Sequence, residues 1–388
     1  MKVKLAERVK RVPKYAFVYI EDLIKEQENK GVDLIRLGVG IPDVPTPQFI
    51  LDVLAKETQK QKHHRYTLNS SGGEPFFRES VANWMQNRFG VSLEEENVTN
   101  LIGSKEGLGV IAKTLVDPGD FVLVPDPGYP VYAKGGAILN EGVPYYMNLE
   151  KENGYLPLFD SIPTEIVKKA KLMYLNYPNN PTTAIASNEF LKESLNFAED
   201  NGIVIAFDNA YSEITFDGYM APSLLQFDGG MDHVEMNSFS KTFSMGGDRI
   251  GFAVGNQDVI GGMVKVKSQV DMASPTYIQA AAAAALDSYE SSQRPPEIEE
   301  IVDTYRKRRD VAVKGLNEIG YKVENPKATF YLWFDCGMNS VDFTKEMIRK
   351  GVVVTHGLAF GDYATNYIRL SLIQPESIIE EAIGRMSL

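Results

Sequence analysis

From about residue 46 to 289 the chain alternates amphipathic stretches of helical period with short apolar runs. The runs are NVTNLIG, DFVLVPD, KLMYLNYP, IVIAFDNAY, VEMNSFS and IGFAVGN. Several show little polar alternation, the pattern of strands buried on both faces of a mostly parallel sheet. Before them, FVYIEDLIKEQENKG reads as a helix stopped by Gly31, and VDLIRLGVGIPDVPTP as a strand breaking into a Gly/Pro-rich loop. QAAAAAAL predicts a close-packed helix rather than a linker, because alanine is the best helix former. SSQRPPE breaks the chain at 291–297. A basic helix follows, then YKVENP, TFYLWFDCG, a helix near 342–350, GVVVTHG and YIRLSLI. This predicts an arm and part of a small domain in 1–45, a large domain in 46–289 and a small α+β domain in 290–388, completed by the N-terminal segment. No repeat of 20 to 50 residues is evident.

The length of 388 residues, with 44% hydrophobic and 24% charged positions, suits two packed domains. With 40 basic against 52 acidic residues the formal charge is −12, which argues against nucleic acid or an anionic membrane as the main partner. Any anion must therefore be bound locally. The single cysteine, Cys336, excludes an intrachain disulfide, and His63, His64, His233 and His356 show no metal-ligand spacing, so no metal is expected. The charged start MKVKLAERVKRVPKY lacks an apolar core, and no run long enough to span a bilayer occurs. A soluble cytoplasmic protein is the expectation.

The candidate chemistry lies where the predicted strands end. Asn180 follows LMYLNYP, Asp208 closes IVIAFD, and Lys241 follows VEMNSFS. In open α/β sheets the carboxyl edge is where ligands bind, so these three residues can converge on one molecule. In NSFSKTFSMGGDRIGFAVGN, Lys241 and Arg249 make a cation pair on rigid flanks. A desolvated lysine becomes a nucleophile, whereas arginine stays charged and forks onto phosphate; an aldehyde carrying a phosphate satisfies both. LIGSKEGLGVIAKTL places a glycine turn before a helix starting near Ser104, either a capped helix or an anion site. Tyr129 in DPGYP is placed to stack on a flat ring, or is an exposed turn residue. Asp208 in an apolar strand needs a partner, and a protonated ring nitrogen would serve.

In order and spacing, SFSKTFSMGGDRIG, NYPNNPT, DNAY, GSKEG, DPGYP and YIRLS resemble the fold-type I pyridoxal-phosphate aminotransferases, over nearly the whole chain. Within them, RLGVGIPDVPTP, RYTLNSSGGEPFFRESVA, DPGYPVY and AYSEITFDGY are most similar to LL-diaminopimelate aminotransferases and their relatives. The resemblance implies an α/β fold with a seven-stranded, mostly parallel sheet. It implies pyridoxal 5′-phosphate bound through Lys241, its phosphate held by Ser238, Arg249, Ser104 and the backbone of Gly103 and Lys105. Asp208 pairs with the ring nitrogen, Asn180 and Tyr211 bond the ring hydroxyl oxygen, and Tyr129 stacks on the ring. Tyr66 reaches the neighbouring subunit's phosphate, which implies a homodimer with shared sites. Arg369, helped by the backbone of Gly40, binds the substrate α-carboxylate, and Tyr15 lies near the substrate. The implied reaction moves an amino group from an amino acid to a 2-oxo acid, with LL-diaminopimelate and 2-oxoglutarate, in lysine biosynthesis, as one pairing. Aspartate- or alanine-type transamination and lyase chemistry on the same residues stay open. The chain departs from many relatives at Thr183, where glycine is frequent, and at Asp248, where tryptophan is frequent. It also lacks DSG in VDMASPTY and has no glutamate soon after Tyr66. A dehydrogenase is disfavoured because LGVGIP runs into proline instead of completing a G-x-G-x-x-G turn.

Overall fold

The computed structural model describes residues 3–13, 18–66 and 72–387. Tyr15 lies outside the described residues. The centre of the fold is a seven-stranded sheet of β1 (Val98–Leu101), β2 (Phe121–Asp126), β3 (Val143–Asn148), β4 (Ala170–Leu175), β5 (Val204–Asp208), β6 (Val234–Ser238) and β7 (Gly251–Gly255). Its order is β1-β7-β6-β5-β4-β2-β3. β7 runs antiparallel to β1 and β6, and the remaining pairs are parallel. The six apolar runs became six of these strands, and all six are buried almost throughout. The seventh, VPYYMN, lies at an edge, half-exposed and carrying Pro144, so it has no run of buried side chains to announce it.

Helix α1 (Ser104–Leu115) and helix α2 (Gln257–Lys267) pack together on one face of the sheet. Their apolar residues join Val122, Val124, Leu172 and Ala206 in one cluster. The alanine-rich α3 (Thr276–Asp287) is buried along most of its length against the helices Gln48–Glu57 and Pro75–Phe89. Small side chains let three helices approach closely there. The long helix α4 (Pro296–Glu318) begins with Pro296 at its first turn, where a missing N–H costs nothing.

Beyond α4, β8 (Tyr331–Asp335), β9 (Thr355–His356) and β10 (Tyr367–Ser371) form an antiparallel sheet ordered β9-β10-β8, with the helix Ser340–Arg349 between. YKVENP forms no strand, because Asn317 at the end of α4 takes both the N–H and the carbonyl of Val323. Ile35–Arg36 pairs in parallel with Val352–Val353, so the N-terminal segment is stitched to the C-terminal part of the chain. The largest apolar cluster runs from Phe77, Trp84 and Phe252 through Tyr305 and Phe330 to Leu370 without interruption. The sheet's carboxyl edge is thereby held rigidly against the C-terminal sheet.

Candidate active site

Because β4, β5 and β6 are parallel neighbours, their carboxyl ends lie side by side, and the residues just past them face one cavity of about 400 Å³. Gly40, Gly103, Ser104, Lys105, Tyr129, Asn180, Asp208, Tyr211, Ser238, Lys241, Arg249 and Arg369 all line it. Tyr66 does not: in the isolated chain it is 86% exposed and stands outside the lining of this cavity.

One end of the cavity is a cup for an anion. Gly103 takes φ +87°, a backbone conformation that L side chains rarely adopt, and a Cβ there would strike Arg249 Nη2 at 2.6 Å. It serves as N-cap of α1 without any side-chain cap. The N–H groups of Ser104 and Lys105 precede the first helical acceptor, since only that of Glu106 reaches back to the Gly103 carbonyl, and the helix dipole adds to them. Arg249 itself has φ +54° and is tied by Nη1 to the carbonyl of Gly246 at 2.9 Å and by Nη2 to that of Ile102 at 3.1 Å.

Lys241 sits on the single helical turn Phe239–Thr242, where Ser238 accepts the N–H of Ser240 as its cap. Its Nζ donates to the carbonyl of Gly40 at 2.6 Å and stands 5.6 Å from the centre of the Phe330 ring. Burial pushes this ammonium below the ordinary lysine range; Tyr331 and Asp208 oppose the shift, and Arg369 and Arg249 reinforce it. A lysine poised this way can carry a neutral amine, the form that attacks aldehydes and accepts protons.

Asp208 is pushed up to about 6 by burial, with the Tyr132 hydroxyl, the Ala210 N–H and Lys241 pulling the other way. Its Oδ2 accepts from Tyr132 at 2.8 Å, while Oδ1 is buried without a hydrogen-bond partner. Buried carboxylate oxygens are seldom left unpaired, so this one is aimed at a donor that arrives with a ligand. Tyr132 was not picked out from the sequence. It is fully buried and stacked on Tyr174 at 5.1 Å, and within DPGYPVY it looks like any core aromatic.

Arg369 lies on β10 with its guanidinium 4.2 Å from the ring centre of Tyr331 and 4.6 Å from that of Phe360. Nη1 donates to Asn180 Oδ1 at 2.7 Å and Nη2 to the carbonyl of Gly38 at 2.9 Å. Nε is buried without a partner. Two aromatic contacts and two hydrogen bonds fix the fork before any carboxylate arrives. Since Asn180 Oδ1 is committed to Arg369, its amide nitrogen is the group left to donate into the cavity. The carbonyl of Gly40 is engaged by Lys241, which leaves its N–H as the backbone donor on that side.

Tyr331 and Phe360 are further cavity residues that sequence reasoning missed. The Tyr331 hydroxyl lies 3.0 Å from that of Tyr211, and a Cβ at residue 40 would approach it to 2.0 Å, so only glycine fits there. In TFYLWFDCG the tyrosine is one more apolar position of a strand. NYPNNPT, in contrast, resolves into assigned tasks. Asn176 holds the carbonyl of Asp208, Asn179 orders Thr182, and Thr183, just past the motif, stands at φ +63°, a conformation that favours glycine.

A second polar group gathers Glu199, Asp228 and His233 within 4.8 Å. His233 Nδ1 accepts the N–H of Ile205, which puts its proton on Nε2 and makes that nitrogen a donor rather than a metal ligand.

A buried lysine of lowered pKa, an orphaned carboxylate oxygen, an anion cup and a caged arginine thus share one cavity. Comparison with known proteins matches residues 32–386 to the aminotransferase class I and II family. The chain belongs to this family. It is 43% identical to an LL-diaminopimelate aminotransferase of Desulforudis audaxviator, over 98% of this chain and 96% of that one. It is 41% identical to one of Aquifex aeolicus, over 99% and 98%. Among solved structures it resembles substrate-bound BacF from Bacillus subtilis, with TM-score 0.92, 34% identity and coverage of 100% and 98%. It also resembles an aspartate aminotransferase from Thermus thermophilus with maleate, with TM-score 0.90, 27% identity and coverage of 100% and 99%.

The protein is an aminotransferase acting on amino acids and 2-oxo acids, and its cofactor is pyridoxal 5′-phosphate. The cavity fits that group on its own evidence. The cup offers N–H groups and an arginine to a phosphate, the unpartnered Asp208 oxygen offers an acceptor to a ring N–H, and Lys241 offers an amine to an aldehyde. Among the described residues no helix is long and apolar enough to cross a membrane.

Proposed function

We propose that this aminotransferase takes LL-diaminopimelate as amino donor and 2-oxoglutarate as acceptor, a step of lysine biosynthesis in the cytoplasm. Relatives of that name, at 41–43% identity over nearly the full chain, support the donor. The observation that carries the transamination chemistry is the caged Arg369 opening on the same cavity as the depressed Lys241.

When bound, pyridoxal phosphate supplies the electron sink for charge developing at the substrate Cα. Asp208, ionised, holds the ring nitrogen's proton and keeps that sink strong. Asn180 and Tyr211 donate to the ring hydroxyl oxygen, with the Tyr331 hydroxyl orienting that of Tyr211. Tyr129 covers the ring, and the cup of Gly103, Ser104, Lys105, Ser238 and Arg249 retains the phosphate. Arg369 and the N–H of Gly40 bind the α-carboxylate, which fixes the bond to Cα–H that is broken. Lys241, as neutral amine, would take the Cα proton and deliver it beyond the amino nitrogen, on the cofactor side.

The site is completed by a second copy of the chain, with Tyr66 reaching the partner's cup. Exposed apolar residues support this: Val39, Ile41, Tyr66, Val270 and Met272 are 40–86% exposed, and Val39 and Ile41 flank Gly40 in the cavity wall. We also read the chain as a large cofactor-binding domain, 46–289, and a small domain, 290–388, with 1–45 forming an arm and part of the small domain.

The test is a donor screen of LL- and meso-diaminopimelate, aspartate, alanine and glutamate against 2-oxoglutarate and pyruvate, following the new amino acid by chromatography. LL-diaminopimelate should give the highest kcat/KM with 2-oxoglutarate. Preference for aspartate or alanine would replace the donor, and release of ammonia without an acceptor would point to lyase chemistry.

A further inference from the structure

Helix α1 carries an acid where an anion is to be bound. Glu106 stands in its first turn, and an unbalanced carboxylate there would repel the phosphate that the turn attracts. The balance comes from Lys267, the last residue of α2, whose side chain is wholly buried. Its Nζ donates to Glu106 Oε1 and, at 2.9 Å, to Asp271 Oδ1.

The cluster is wired to the cup by a single residue. Glu106 Oε2 accepts the N–H of Ile102 at 2.7 Å, and the carbonyl of Ile102 accepts Arg249 Nη2 at 3.1 Å. A second tie runs from the same segment. Three residues past Asp271, the Ser274 hydroxyl lies 2.9 Å from the carbonyl of Arg249 and 3.2 Å from that of Leu101. Segment 267–274 therefore grips both the turn that opens α1 and the arginine facing it.

We propose that the buried Lys267, Glu106 and Asp271 cluster is a positioning device for the cofactor phosphate, holding the Ile102–Lys105 turn and Arg249 in register while cancelling the charge of Glu106. It rests on reading this cup as the phosphate site. Two carboxylates facing one ammonium leave an excess negative charge unless they share a proton. Burial and then the neighbouring Asp271 push Glu106 up to about 7, against the pull of Lys267, as in a carboxyl pair that retains one.

The test titrates the full-length protein, freed of cofactor, with pyridoxal 5′-phosphate and with pyridoxal, which lacks the phosphate. Lys267→Met should weaken pyridoxal phosphate about tenfold or more and change pyridoxal by less than about twofold. Adding Glu106→Gln and Asp271→Asn removes both stranded carboxylates yet keeps an oxygen for the Ile102 N–H, so the triple variant should recover most of the loss. A packing role would not be repaired that way. Equal weakening of both ligands, or no recovery, overturns the proposal. If Lys267→Met does not fold, Glu106→Ala, which loses the Ile102 bond, should lose preference for the phosphorylated ligand while Glu106→Gln keeps it; identical behaviour of the two overturns it. Arg249→Ala separates the levels. An unchanged ligand preference in that variant would overturn the reading of the cup itself, whereas loss there with none in Lys267→Met removes the positioning cluster alone.

Discussion

Asp208 stores free energy that the cofactor-free protein cannot use. Its pKa rises from 3.8 to about 6 on folding, chiefly through burial. The folded state thus holds a proton that the unfolded state has released, so this group's contribution to stability falls as pH rises from below 3.8 through 6. From those two values the cost is between about 1 and 2 kcal/mol at pH 5 and about 3 kcal/mol at pH 8. Asp208→Asn abolishes the ionisation and keeps a carbonyl oxygen for the Tyr132 hydroxyl, which now donates to Oδ2 at 2.8 Å. The variant, stripped of cofactor, should therefore be more stable than the parent, by an amount growing by roughly 1 kcal/mol between pH 5 and pH 8. Urea unfolding at both pH values, followed by fluorescence, measures the difference. Turnover should move the opposite way, by about a hundredfold or more, because a neutral amide cannot hold the ring nitrogen's proton. An advantage that is absent or independent of pH would show that Asp208 is not a strained buried carboxyl. Near-normal turnover would show that it is not the ring partner.

The remaining expectations concern the lysine, the arginine and the dimer. Borohydride reduction of the holoenzyme should fix the cofactor on Lys241, and peptide mapping that finds it on another lysine refutes the assignment. Arg369→Ala should lower kcat/KM about a hundredfold or more for every amino-acid donor, since each presents the same α-carboxylate; a change in donor preference alone would mean that Arg369 reads the side chain. Mixing Lys241→Ala with Tyr66→Phe, each crippled alone, should restore activity after subunit exchange, because one site per heterodimer is then intact. Verified heterodimers without activity would place Tyr66 in the service of its own chain.

Local signals explain what was legible in the sequence. The strands that became the sheet centre announce themselves because burial on both faces demands unbroken apolar runs, and Asn180, Asp208 and Lys241 follow them as polar exceptions that a core would not tolerate idly. Gly31 and Pro296 marked helix ends through backbone conformations that hold in any context. The edge strand Val143–Asn148 escaped because half its surface faces water. YKVENP kept the look of an extended run until one distant amide, Asn317, took the backbone groups a strand would have used.

The sequence by itself determined which chemistry the chain can perform: a lysine, a carboxyl group and an arginine at the ends of buried strands, in an order that matches one family. Only the tertiary structure decided how those groups are tuned. Tyr132, Tyr331 and Phe360 sit in stretches whose apolar pattern is that of any core, yet one holds Asp208 and two cage Arg369. Lys267 carries no mark of a core residue in the sequence, yet folding buries it against Glu106, 161 residues away in the chain. Periodicity reports which side of an element is dry, whereas pKa and hydrogen-bond direction depend on partners from elements far apart in sequence, and those partners meet only when the layers close.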